Sequence, residues 1–134
     1  MMGTKDIETV MIGAVERSGL VPLERIYLPN DFPPGKVTAE RAVIFVKQNR
    51  RGPIFNEGFV EINFCVPDEG GRAAHARLQQ LESEAVEHFW DDVVGDYGTT
   101  TFRYVLYSHE IGEDKALGCH YANIRLLFET LNVR

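Results

Sequence analysis

The sequence has little in it that would staple, anchor or mark a site. Of 134 residues two are cysteine and one is tryptophan. Cys65 and Cys119 stand far apart and outside any C-x-x-C spacing, so each reads first as a small buried strand residue in a reducing compartment. A disulfide between them requires neighbouring strands in the right register. Long apolar runs are missing too. Residues 42–46 are far too few to cross a bilayer, and the N-terminus lacks the basic-then-apolar pattern of a secretory signal, which places the chain inside a cell with no membrane partner. Positive charge is in deficit, with 14 Lys+Arg against 20 Asp+Glu for a net charge of −6. That disfavours a grip on a phosphate backbone, so no direct, sequence-specific nucleic-acid partner is expected. A glycine-rich phosphate loop is absent as well: Glu69-Gly70-Gly71-Arg72 has too few glycines and follows an antiparallel-type strand, so no nucleotide cofactor is implied.

What is present suits one ordinary folded domain, residues 1–134, with 44% hydrophobic and 25% charged residues. Thr4 is a good N-cap, and Ile7, Val10, Met11, Ala14 and Val15 follow at the spacing of one helix face before Ser18-Gly19 ends it. Four prolines (Pro22, Pro29, Pro33, Pro34), interrupted by Ile26-Tyr27-Leu28, then exclude a helix or central strand over 20–40, leaving a long ordered connection with at most one short edge strand. Residues 42–47 form an apolar, β-branched strand. Residues 59–66 alternate, with Val60, Ile62, Phe64 and Val66 on one face and Glu61, Asn63 and Cys65 on the other. The turn chemistry between them predicts a hairpin with a long tip. A second helix carries Ala74, Leu78, Leu81, Ala85, Phe89 and Val93, widened by Val86 and Trp90, and ends near Gly95. Strands over 99–110 and 119–132, joined by a loop over 111–118, give a second hairpin. The expected fold is therefore α+β: a single antiparallel sheet from two hairpins with two helices packed on one face, in the order α-β-β-α-β-β.

Candidate reaction chemistry is generic. Glu84, His88 and Asp92 share a helical ridge at i, i+4 spacing, but the two-histidine metal motif is absent and solvated helix faces commonly carry such residues. Cys119 and His120 are adjacent on a strand and point to opposite faces, which is poor geometry for a thiol-imidazole dyad. His75, His88 and His109 have no sequence relation to either thiol. Asp91, Asp92 and Asp96 read as solvated turn carboxylates, because acid/base pairs need burial to separate their pKa values. No catalytic, cofactor or metal residue is assigned. The informative features are surfaces: Arg103, Tyr107, Tyr121 and Arg125 on the outward strand face, and Arg50, Arg51, Ile54 and Phe55 at the first hairpin tip. Aromatic, aliphatic and arginine side chains mixed in this way suit protein interfaces.

The helix ending in Ser18-Gly19-Leu20-Val21-Pro22, the crossover through Ile26-Tyr27-Leu28-Pro29, the hairpin over 41–67 and the closing strand over 121–128 together resemble the tail-terminator and head-to-tail joining proteins of long-tailed bacteriophages. The resemblance is one of architecture and covers almost the whole chain. It implies a non-enzymatic, phage- or prophage-encoded structural subunit without cofactors. Such a subunit forms a homo-oligomeric ring, commonly a hexamer, and docks to tail-tube or connector proteins. It also implies residence in the host bacterial cytoplasm and then in the virion tail. The tip over 50–55 would be an inter-subunit or tube-facing element, and a net charge of −6 fits an acidic lumen that repels passing DNA. The alternative is a small cytoplasmic α+β enzyme or ligand-binding dimer of ferredoxin-like type, which requires a pocket gathering His88, Cys65 or Cys119.

Overall fold

The computed structural model describes residues 2–47, 50–52 and 54–131, with the backbone alone described at Arg50. Helix α1 (Thr4–Ser18) buries Ile7, Met11, Ala14 and Val15, as its spacing predicts. Thr4 is its first helical residue rather than its cap. The cap is Gly3, whose amide donates to Asp6 Oδ2 at 2.9 Å. Gly19 ends the helix with φ 69°, a left-handed position open to glycine at no steric cost.

The strands are β1 (Ile26–Tyr27), β2 (Arg41–Val46), β3 (Arg50–Arg51), β4 (Phe55–Pro67), β5 (Val93–Tyr97), β6 (Thr100–Asp114) and β7 (Cys119–Leu131), with helix α2 (His75–His88) between β4 and β5. They form one sheet in the order β1-β2-β4-β7-β6-β5, and β3 pairs with β4 beside that path. This corrects the expected fold class. The sheet is mixed, because β1 runs parallel to β2, and the element order is α-β-β-β-α-β-β-β along its main path. The two expected hairpins are present as β2/β4 and β6/β7, and the antiparallel β4/β7 pairing joins them at the centre.

Local causes account for the added and lengthened strands. Helix α2 stops at His88, so Trp90 projects into solvent instead of widening its stripe, and Val93 opens β5 instead of closing the helix. The turn that sends β5 into β6 is at Gly98, φ 60°, so Gly95 is a mid-strand residue and not a helix end. The expected loop over 111–118 is strand as far as Asp114, and only Lys115 to Gly118 turn. At the first tip, Gly52 donates its amide to the Phe55 carbonyl at 2.9 Å, which folds Arg50–Arg51 back onto β4.

Both helices cover one face, where Val60, Ile62, Phe64, Ile124, Leu126 and Phe128 are wholly or almost wholly buried beneath Met11, Leu81 and Ala85. The rings of Phe102 and Tyr104 stack on Phe128 at 5.5 and 6.0 Å. The second face is not simply solvated. Residues 28–40 lap across one end of it and bury Val37, Val43, Cys65 and Cys119 in a smaller cluster with Phe32, Phe45, Leu117 and Tyr121. Strand alternation therefore has two interiors to serve at that end.

Candidate functional site

Strand register aligns residues that are remote in sequence. Arg41 of β2 stands opposite Cys65 of β4, Cys65 opposite Tyr121 of β7, and Tyr121 opposite Gly112 of β6. The adjoining row runs Pro67, Cys119, Asp114. Paired residues share a face, so Arg41, Cys65, Tyr121, Cys119 and Asp114 converge on the second face of the sheet. Gly112 makes room for this, since a Cβ there would sit 2.4 Å from the Tyr121 ring. The 28–40 crossover roofs the rows. It is pinned to the β6–β7 turn by the Val37 amide donating to the Leu117 carbonyl at 2.8 Å, and by Lys36 Nζ donating to the Lys115 carbonyl at 3.3 Å. Between roof and floor lies a cavity of about 210 Å³, walled by Phe32, Val43, Phe45, Leu117 and Tyr121 around the polar groups.

Electrostatics within the cavity are uneven. The two thiols are free and lie diagonally across β4/β7. A hydrogen bond from Cys119 holds the Cys65 thiol below the usual range against the cost of burial, and the Arg41 charge and a hydrogen bond from its guanidinium add to that effect. The same bond and burial push Cys119 well up, so Cys65 is the more acidic of the two thiols. Arg41 is only 5% exposed. Its guanidinium stacks over the Phe32 ring at 4.8 Å, while Nε and Nη2 are buried and meet no acceptor among the described residues.

The sequence-predicted interface residues do not form one surface. Arg51, Ile54 and Phe55 are exposed at the tip, while the Arg50 side chain lies outside the described set. Tyr107 sits at a β-bulge and packs edge-on against Phe59 at 4.9 Å, and Arg125 stacks over Phe59 at 3.9 Å. Arg103 is engaged within the chain, donating to Asp92 and Glu129 at 2.9 Å each. Tyr121 belongs to the cavity. Of the reaction candidates, His88 is exposed and Asp92 falls beyond the end of α2, so the expected ridge does not exist. His120 points to the helix-covered side, opposite Cys119, and is held by Asp68 at 2.7 Å and Glu113 at 3.0 Å. No family model and no curated protein matches this chain. No helix among the described residues is long and apolar enough to cross a membrane.

Sequence reading missed Arg41, Asp114 and the second edge of the sheet. Arg41 did carry a signal, a lone charge at the head of an apolar strand. At the tip end a single row spans the sheet from Arg51 through Asn56, Thr130 and Phe102 to Gly95. One edge there is the basic β3. The other is β5, which contains Asp96, follows Asp91 and Asp92, and exposes Trp90 (67%) and Val94 (65%) beside it.

Proposed function

We propose that the chain is a non-enzymatic assembly subunit, a phage or prophage tail terminator or head-tail connector, that forms a homo-oligomeric ring and docks to tail-tube or connector proteins. The observation that carries this reading is the open outer edge of β5, which pairs with β6 on one side, meets no strand on the other among the described residues, and bears exposed apolar side chains. Such edges are normally short, charged or covered unless another chain pairs with them. The occupant is a second copy of the chain, because the opposite edge at the same end is basic where β5 is acidic. Basic β3 of one copy against acidic β5 of the next is a heterologous contact, and heterologous contacts close into rings when their rotation closes. The exposed Ile54 and Phe55 flank β3 and supply apolar area to the same joint.

Light scattering after size exclusion, with negative-stain imaging, tests the reading. The expected result is a discrete ring, commonly six-membered, that Val94→Lys reduces to monomer while leaving the circular dichroism unchanged. A monomer at every concentration, indifferent to that substitution, would overturn it. The second reading, a small ligand-binding domain, is favoured by the cavity that gathers Cys65, Cys119 and Arg41, although His88 lies outside it.

A further inference from the structure

The cavity beneath the crossover has a built polar feature that ring assembly leaves without a use. In an arginine side chain Nε and Nη2 form one planar edge with two parallel N–H donors, which matches the two oxygens of a carboxylate. The molecule uses that edge once already: Arg77 donates from Nε and Nη2 to the two carboxylate oxygens of Glu40, both at 2.8 Å. In Arg41 the same two atoms are buried and lack an acceptor among the described residues. Phe32 stacks on the guanidinium and Tyr27 lies 6.0 Å away. A ring over the guanidinium face cannot satisfy donors that lie in its plane. Native structures rarely leave two such donors unmet on a charged group, since each unmet buried donor is destabilising.

From the unmet Arg41 donors and the cavity that Arg41 lines, we infer a binding site for a small monocarboxylate with an apolar body, its carboxylate held by the guanidinium once Nε and Nη2, closed to water here, turn toward the cavity. The size follows from the cavity of about 210 Å³, below the ~300–1,000 Å³ of pockets that hold drug-sized ligands. The apolar body follows from the walls, formed by Phe32, Val43, Phe45, Leu117 and Tyr121. Selection for one negative charge follows from Asp114, which lines the same cavity and would repel a second. Its Oδ1 already accepts the Leu117 amide at 3.1 Å.

Benzoate is the probe, titrated into the full chain by calorimetry and by following amide shifts in NMR, with benzamide as the neutral isostere. Saturable binding of one benzoate per chain, with Kd on the order of 1 mM, is expected. Shifts should be largest at residues 29–32, 41, 65 and 121, and benzamide should bind at least about tenfold more weakly. Arg41→Lys keeps the charge and removes the fork, and should weaken benzoate by a similar factor. The benzoate–benzamide contrast on the unmodified chain decides the matter even where that variant does not fold. Equal binding of the two probes, or none, overturns the site. So does benzoate binding that appears only in Cys65→Ser, which would make the Cys65 thiolate the partner of Arg41. A fall in oligomeric mass on Arg41→Lys, without benzoate binding to the unmodified chain, would give the fork to a carboxylate of a second copy and overturn the small-ligand site.

Discussion

At the scale of single residues, chemistry is set by which groups the register makes neighbours. Cys65 and Cys119 are both buried, so access alone barely distinguishes them. Thiolate character does, because alkylation proceeds through the thiolate and the Cys65 thiol is held lower while Cys119 is pushed up. Brief iodoacetamide treatment of the folded protein, read by peptide mass, should therefore label Cys65 ahead of Cys119, and Arg41→Gln should slow that labelling. Equal labelling would contradict the greater acidity of Cys65. His120 gives a second residue-level outcome on the other face. Its hydrogen bond to Asp68, helped by the Asp68 and Glu113 charges, raises its pKa above the ordinary 6.5. A raised folded pKa means that the protonated form is favoured by folding. The clasp thus contributes fully below about pH 6.5 and is lost as pH rises through the raised value. Urea unfolding at pH 5.5 and 8.5 should show that His120→Gln costs about 1 kcal/mol or less at the lower pH and close to nothing at the higher, since the group is partly solvated.

At the scale of elements, β5 depends on a glycine for packing rather than for backbone freedom. Gly95 stands opposite Phe102, and a Cβ at that position would lie 2.7 Å from the Phe102 ring. That ring cannot readily retreat, because it is buried and stacked on Phe128. Gly95→Ala should destabilise the domain by about 1–3 kcal/mol, the usual cost of overpacking, and loosen β5 first. A fall in Tm, with early hydrogen exchange over 93–97, is the expected reading; an unchanged Tm would show that the β5/β6 contact is slack. The same strand shows where sequence stops being informative. Helices and long strands were legible because their buried faces repeat at 3.6 or 2 residues, as in Ile7 to Val15 or Val60 to Val66. Val93 to Tyr97 has no such repeat, because an exposed edge buries little on either face, and Val93 falls at a spacing from Phe89 that also continues a helix. β1 and β3 have two residues each, so pairing with distant partners defines them, not local pattern. The cavity was illegible for a related reason. Arg41, Cys65 and Asp114 meet only once two strand registers are fixed, and register is a property of the assembled sheet.

At the scale of the whole molecule, charge is distributed in a way that a net value of −6 conceals. The tip end of the sheet has a basic edge at β3 and an acidic edge around β5, so two copies placed head to tail present opposite charges, while two placed edge to like edge repel. Exposed pairs of this kind each contribute roughly 0.2–1 kcal/mol, and a closed ring repeats the contribution at every joint. Assembly should accordingly weaken as sodium chloride rises past about 0.1 M, where the screening length falls to about 10 Å. Arg51→Glu should raise the concentration needed for the ring, and Asp91→Arg, at a residue exposed beside β5, should do the same. Combined in one chain, the two substitutions recreate an opposite pair with its signs exchanged and should recover assembly beyond the sum of the single effects. Light scattering across the four proteins at two salt concentrations reads this coupling. A double variant as defective as the sum of its parents would show that β3 and β5 do not meet, and would leave the apolar residues Trp90, Val94, Ile54 and Phe55 to find other partners.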